Sequence, residues 1–188
     1  MTPIDNAARI RARDGQFEPM AARANGVNWR DRRDGYAASP ELVLIRGLPG
    51  SGKTTMAKAM VDHVHVEADQ FFDVDGVYRF DRSRICLAHE WCQSETRAAL
   101  SRTLDVVVSN TFTEMWELEP YLRMADNVRI IETVGRWQNV HGVPEHAVHL
   151  MRQRWELTSS VLSALERRGW ASAESGVVVR RVRRDAVA

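Results

Sequence analysis

Residues 42–54 read Leu-Val-Leu-Ile-Arg-Gly-Leu-Pro-Gly-Ser-Gly-Lys-Thr, an apolar run that empties into a glycine-rich turn. Leu42–Arg46 is a short continuous run of the kind a parallel strand buried on both faces needs. Gly47–Thr54 satisfies GxxxxGK[ST], the P-loop pattern. Each residue type in it answers a physical need. Glycines let consecutive backbone N–H groups turn inward around phosphate oxygens, in conformations a Cβ would obstruct. Lys53 brings a mobile positive charge to β- and γ-phosphates, and the Thr54 hydroxyl coordinates Mg²⁺. A helix starting here adds the positive end of its dipole. From the chain's own Gly, Lys and Ser+Thr frequencies, an accidental match arises in roughly one such sequence in a thousand. The strand before and the helix after supply the context the motif requires. The predicted nucleotide-binding set is therefore Gly47, Leu48, Pro49, Gly50, Ser51, Gly52, Lys53, Thr54 and Thr55.

Outward from this turn the chain alternates. A helix is predicted over Thr54–His63 and a strand over Val64–Ala68, weakened by His65 and Glu67. Ser83–Thr103 is the clearest helix, with Ile85, Ala88, Cys92, Thr96, Ala99 and Leu100 close to a 3.6-residue period. Leu104–Ser109 and Val128–Val134 read as strands, Glu114–Ala125 as a helix despite Pro120. Pro144 suits the first turn of a long helix reaching about Arg168, and Gly176–Val182 reads as a last strand. Strands alternating with helices predict an α/β fold, a mostly parallel sheet flanked by helices. Residues 1–40 carry seven Arg against five acids and no sustained apolar period, and read as a polar arm with a short helix around Asn6–Arg13. The predicted core is then 41–157, followed over 158–188 by the end of the long helix and a basic tail.

Composition narrows the function classes. The chain has 188 residues, 44% hydrophobic and 27% charged, which is globular and neither disordered nor collagenous. A net charge of +1 gives no overall field for indiscriminate nucleic-acid binding, although Arg outnumbers Lys 24 to 2. No apolar run reaches membrane-span length and the polar N-terminus lacks a signal-peptide core, so the expected location is cytoplasmic. Cys86 and Cys92 form neither a CxxC motif nor a disulfide framework.

A P-loop announces a bound nucleotide and leaves the next step open. The acid nearest in topology is Asp69, just past the second predicted strand. In a parallel sheet the C-terminal strand ends share the edge holding the P-loop, so Asp69 is expected to face the γ-phosphate. There it accepts a proton from an attacking hydroxyl or orients Mg²⁺ through water; the alternative is a plain helix N-cap.

Five stretches in order, GLPGSGKTT (47–55), ADQFF (68–72), GVYRFD (76–81), AHEWC (88–92) and NVHGVP (139–144), resemble the polynucleotide-kinase-like P-loop kinases. That family includes 5′-hydroxyl polynucleotide kinases and bacteriophage DNA kinases acting on 5-hydroxymethyluracil. The resemblance covers about residues 41–157. It implies a P-loop kinase fold, ATP and Mg²⁺ held by Gly50, Gly52, Lys53 and Thr54, and Asp69 as general base. It places a lid over 136–143, where the family's Arg-Asn pair reads Gln138-Asn139. The lid arginine is then Arg136, with Arg152 and Arg154 as alternatives. The family's Asn-Thr-Asn after the third strand reads Asn110-Thr111-Phe112. The implied activity is ATP-dependent phosphorylation of a hydroxyl on DNA. The absence of room for a phosphatase or ligase domain leans this toward the 5-hydroxymethyl group in hypermodified phage DNA, which evades host restriction. Alternatives are a repair-type 5′-hydroxyl kinase, a small-molecule or sugar-nucleotide kinase, and a nucleotide-gated binding protein.

Other candidates have two readings each. Phe71, Phe72, Tyr78 and Phe80 follow the proposed base and suit base stacking or core packing, two of the four being expected in the core. Arg79, Arg82 and Arg84 suit acceptor phosphates or a solvated face. His63 and His65 lack partners at zinc spacing and read as structural. His141 lies in the lid, as a turn residue or a phosphate contact. Arg180, Arg181, Arg183 and Arg184, with the N-terminal arginines, read as a guide for DNA or as solvated charge.

Overall fold

The structure, a computed structural model, describes residues 39–137 and 142–169 and the backbone of 178–182. All belong to the unit that begins at Ser39. The predicted arm and its helix around Asn6–Arg13 lie outside the described residues, as do Gln138, Asn139, His141 and the tail arginines Arg183 and Arg184. The side chains of Arg180 and Arg181 do so too.

The strands are β1 (Glu41–Arg46), β2 (Val64–Val66), β3 (Asp73–Val74), β4 (Val77–Tyr78), β5 (Val106–Ser109), β6 (Asn127–Thr133) and β7 (Val178–Val182). The helices are α1 (Lys53–Lys58), α2 (Ile85–Ser101), α3 (Met115–Leu122), α4 (Glu145–Gln153) and α5 (Thr158–Arg167), with single 3₁₀ turns at Ala68–Phe72 and Arg82–Arg84. Five strands form one sheet in the order β2-β5-β1-β6-β7. Every pairing in it is parallel, with Leu44 opposite Val108 on one side and Ile130 on the other. The fold class is the predicted one: α/β, a parallel sheet flanked by helices.

The central position of β1 explains its apolar run. Leu42 and Leu44 pack with Cys92, Leu100, Leu118, Val161 and Leu165 on one face. Val43 and Ile45 pack with Met56, Ala57 and Ile131 on the other. Each such side chain contributes roughly 1.5–3 kcal/mol by leaving water. Since the strands run the same way, the loops after β1, β2, β5 and β6 open at one edge.

Three predicted elements are corrected. The strand over Val64–Ala68 stops at Val66, because the Glu67 side chain accepts from the Gln70 N–H while Gln70 Oε1 accepts from the Glu67 N–H at 3.1 Å, a capping box that turns the chain into the 3₁₀ turn. The long helix from Pro144 is two helices broken at Arg154–Leu157. Helical periodicity runs through the break, but tertiary bonds override it: Glu156 N–H donates to Thr113 O at 2.8 Å, and its carboxylate accepts from Met115 N–H at 3.0 Å. The helix predicted over Thr54–His63 also ends early, at Lys58, and Val64 N–H pairs with Asp105 O at 2.8 Å to begin β2.

Candidate active site

The turn after β1 is shaped by glycines at two kinds of place. Gly50 and Gly52 have φ of 76° and 90°, the left-handed region that favours glycine. Gly47 is needed for closeness: a Cβ there would lie 2.3 Å from both Ser51 Oγ and Thr133 Oγ1. Thr133 Oγ1 donates to Arg46 O at 3.2 Å, and a hydroxyl has one hydrogen, so Ser51 donates across the 2.7 Å contact to Thr133. Thus β6 clamps the base of the loop.

Lys53 opens α1, half-buried, with Nζ donating to Leu48 O at 3.1 Å. Burial lowers its pKa to about 8, against the opposing fields of Asp69 and Glu67. Thr54 Oγ1 donates to Glu67 Oε2 at 2.9 Å, and Thr55 is exposed beside it. Glu67 is buried, and Ser109 Oγ also donates to its Oε2 at 2.9 Å. His65 Nε2 meets Ser109 Oγ at 2.8 Å and lies 3.5 Å from the same Oε2. Burial works against the Glu67 charge, yet His65 and the Ser109 and Thr54 hydroxyls outweigh it and hold the pKa at about 2.

Asp69 sits in the first turn of the 3₁₀ segment. The cap there is Glu67, which removes the alternative reading of Asp69 as an N-cap. Its Oδ1 accepts from Tyr78 Oη at 3.2 Å. Burial and the Asp69 carboxylate push ionisation of that phenol far up, so Tyr78 remains a donor. The Ala68 N–H donates to Asn110 Oδ1 at 2.9 Å, which fastens the turn carrying Asp69 to the end of β5. Phe112, in contrast, is core: it is buried and stacks edge-on against Tyr121 at 5.3 Å.

On the other side of the loop lies a cavity of about 710 Å³. Leu48–Ser51 line it together with Arg136, Trp137, Arg152 and Trp155. Trp137 N–H donates to Gly50 O at 2.8 Å, and its ring lies where a Cβ on Gly52 or Gly135 would fall. Arg136 and Arg152, both exposed, share this cavity. Arg154 is committed elsewhere, donating through Nε to Thr113 Oγ1 at 3.0 Å. Beneath the cavity Arg46 is wholly buried, its Nη2 donating to Glu156 O at 2.8 Å and its guanidinium 4.1 Å from the Trp155 ring centroid. Burial lowers its pKa, opposed by Glu132, Glu156 and Glu117.

The aromatic cluster divides as expected, two in and two out. Phe71 and Phe72 are buried; Tyr78 is 39% exposed and Phe80 54%. Phe80 stands 5.1 Å from Phe72, and Arg84 lies over the Phe71 ring at 4.8 Å. Arg79 and Arg82 are exposed beside them. His63 pairs with Glu41 at 3.1 Å, a structural role, whereas His65 belongs to the site. Among the described residues no group of three or more His, Cys, Asp or Glu is arranged to hold a metal alone, and no helix is long and apolar enough to cross a membrane.

A family model described as an AAA domain matches residues 42–137, from β1 through Trp137, just over half of the chain. The chain belongs to the AAA domain family. Human NEDD4-binding protein 2 is 28% identical to it over 152 residues, which cover 67% of this chain and 9% of that protein. The AAA domain therefore spans under a tenth of that relative's length. Among solved structures, a Pnkp1/Rnl/Hen1 complex aligns with TM-score 0.43 and 19% identity, over 63% of this chain and 40% of that one. A gluconokinase from Sinorhizobium meliloti aligns with TM-score 0.45 and 14% identity, over 77% and 83%. Neither carries an activity over to this AAA domain.

Sequence reasoning missed Glu67, Ser109, Trp137 and Trp155 as site residues. For Glu67 a signal existed, the Glu-x-x-Gln spacing to Gln70 that marks a capping box. Ser109 and the tryptophans join the site only through tertiary packing.

Proposed function

We propose that this AAA domain is an ATP-dependent phosphotransferase that moves the γ-phosphoryl group to a hydroxyl on nucleic acid. The observation that carries the reading is the convergence of Lys53, Thr54 and Asp69 at one sheet edge, close enough that Asp69 acts on the Lys53 charge. Backbone N–H groups of Gly47–Thr54 and the Lys53 ammonium bind the phosphates. The Thr54 hydroxyl, backed by the Glu67 carboxylate, is a hard oxygen donor that fits Mg²⁺, which is usually held by one or two protein groups together with substrate phosphates. Bound there, Mg²⁺ supplies neutralisation of charge on the β- and γ-oxygens. Asp69 accepts the proton of the acceptor hydroxyl as its oxygen attacks the γ-phosphorus and ADP leaves. Arg136, or Arg152 across the cavity, stabilises the transferring group.

Support for a nucleic-acid acceptor comes from the surface beside Asp69, where exposed Tyr78 and Phe80 offer rings for bases and Arg79 and Arg82 offer charge for phosphates. The first candidate acceptor is the 5-hydroxymethyl group of 5-hydroxymethyluracil in DNA, as in bacteriophage base hypermodification; the second is a 5′-hydroxyl end. The test uses γ-labelled ATP, Mg²⁺ and two oligonucleotides, one with a free 5′-hydroxyl and ordinary bases, the other end-blocked with internal 5-hydroxymethyluracil. Label in the second alone supports the base-directed reading, and label in the first alone replaces it with an end kinase. With nucleotide binding verified, label in neither overturns the nucleic-acid acceptor and directs attention to small hydroxylated substrates.

A further inference from the structure

Four elements meet on one carboxylate. Glu67 Oε2 accepts from Thr54 Oγ1 at the start of α1 and from Ser109 Oγ at the end of β5, both at 2.9 Å. The Glu67 side chain also accepts from the Gln70 N–H, and so closes the turn on which Asp69 stands. His65 backs the group from β2, 2.8 Å from Ser109 Oγ. Glu67 is only 9% exposed, and its carboxylate is the acceptor in the bonds from Thr54, Ser109 and Gln70.

The direction of the Thr54 bond matters. A hydroxyl has one hydrogen and two lone pairs. With the hydrogen spent on Glu67, the Thr54 lone pairs are turned away from Glu67 and are available to a cation. We propose that Glu67 is the positioning residue of the nucleotide's metal site: it fixes the Thr54 hydroxyl as a lone-pair donor to Mg²⁺ and, through the capping box, holds Asp69 in register with it. This rests on the nucleotide-binding reading of the P-loop and is independent of the acceptor. Groups that orient a metal ligand from behind typically cost 10–100-fold in metal affinity when removed.

The experiment measures binding, without turnover. The full chain is titrated calorimetrically with adenosine imidotriphosphate, a non-hydrolysable ATP analogue, across a series of Mg²⁺ concentrations and in EDTA. Expected for Glu67→Met, which leaves the Thr54 hydrogen no acceptor at this position, is a 10–100-fold rise in the Mg²⁺ needed for half-maximal enhancement of analogue binding, with affinity in EDTA within about twofold of wild type. Ser109→Ala, which removes one bond to Glu67 and leaves Thr54 its acceptor, is expected to shift the Mg²⁺ requirement less than fivefold and serves should Glu67→Met fail to fold; Thr54→Val in that case must reproduce the large shift. A Glu67→Met protein with the wild-type Mg²⁺ requirement overturns the proposal, as does an equal loss in EDTA and in Mg²⁺, which marks a merely structural role. Wild-type protein that binds no analogue under any condition overturns the P-loop reading itself.

Discussion

The two sides of Asp69 are built differently. Toward the P-loop, Thr54, Glu67, Ser109 and His65 form a buried network of short bonds that joins α1, β2 and β5. Toward solvent, β3 and β4 form a ribbon of two residues each, carrying exposed Val74, Val77 and Tyr78, with exposed Phe80 just beyond it, and ring contacts to Phe72 tie this segment back. The first side is preorganised: its geometry exists before any ligand arrives, so a ligand gains from it without reordering cost. The second side has apolar rings in water and few fixed bonds, an arrangement that tolerates variation in what stacks on it. A phosphate group is the same in every substrate, and an acceptor is where substrates differ. On the proposed function, the contrast would put chemistry on the rigid side and selection on the exposed one.

If that division holds, substitutions on the two sides affect different kinetic constants. Asp69→Asn keeps shape and removes the basic group, and phosphoryl transfer should fall by about 10²–10⁴. Binding of the ATP analogue should change little. Steady-state transfer and calorimetry check this, and transfer within tenfold of wild type breaks the assignment of Asp69 as base. Phe80→Ala removes an exposed ring without touching the network. Loss of one stacked base is worth about 1–3 kcal/mol, which predicts a KM for an oligonucleotide raised roughly 5–150-fold with kcat nearly unchanged. An unchanged KM would place the acceptor on another surface.

The donor side also carries a pH signature. Lys53 has its pKa brought down from 10.5 to about 8, so in the free protein its charge is present below that value and lost above it. Phosphate oxygens favour the charged form and raise the pKa of the complex. Nucleotide affinity should therefore be flat below pH 8 and weaken about tenfold per unit just above it, with a proton taken up on binding. Titrations at pH 7, 8 and 9 in buffers of different ionisation enthalpy read both quantities. A flat affinity profile with no proton uptake would mean that Lys53 does not meet the phosphates.

How far the sequence revealed these two sides follows from the physics of each residue. The P-loop was legible in full because phosphate binding dictates each of its residue types locally. The central strand was legible because burial on both faces demands an unbroken apolar run. The position of Asp69 at the P-loop edge of the sheet was legible through strand topology. Glu67 was misread as a flaw in a strand, since a charged residue is unfavourable in a buried run unless partners are known, and its partners Thr54 and Ser109 are 13 and 42 residues away. Arg46 was counted in the apolar run with no role of its own, yet it is wholly buried under Trp155. The same tertiary centre broke the helix predicted through Trp155 and Glu156. Local pattern reports what a segment prefers; where a distant group supplies a stronger bond, preference yields.

The smallest expected effect tests the join between the two sides. Tyr78 belongs to both: its hydroxyl donates to Asp69 Oδ1 at 3.2 Å, and its ring lies 6.4 Å from that of Phe72 on the exposed ribbon. Tyr78→Phe removes the first relation and keeps the second. If the hydroxyl serves to hold the base in line, its loss is worth a single hydrogen bond, about 0.5–1.5 kcal/mol, and kcat falls roughly two- to twelvefold with the acceptor KM unchanged. Tyr78→Leu, which removes the ring as well, should add a rise in KM like that of Phe80→Ala. Were Tyr78→Phe to raise KM and leave kcat alone, the hydroxyl would be contacting the acceptor, and the boundary between the rigid and the exposed side would run through Asp69 itself.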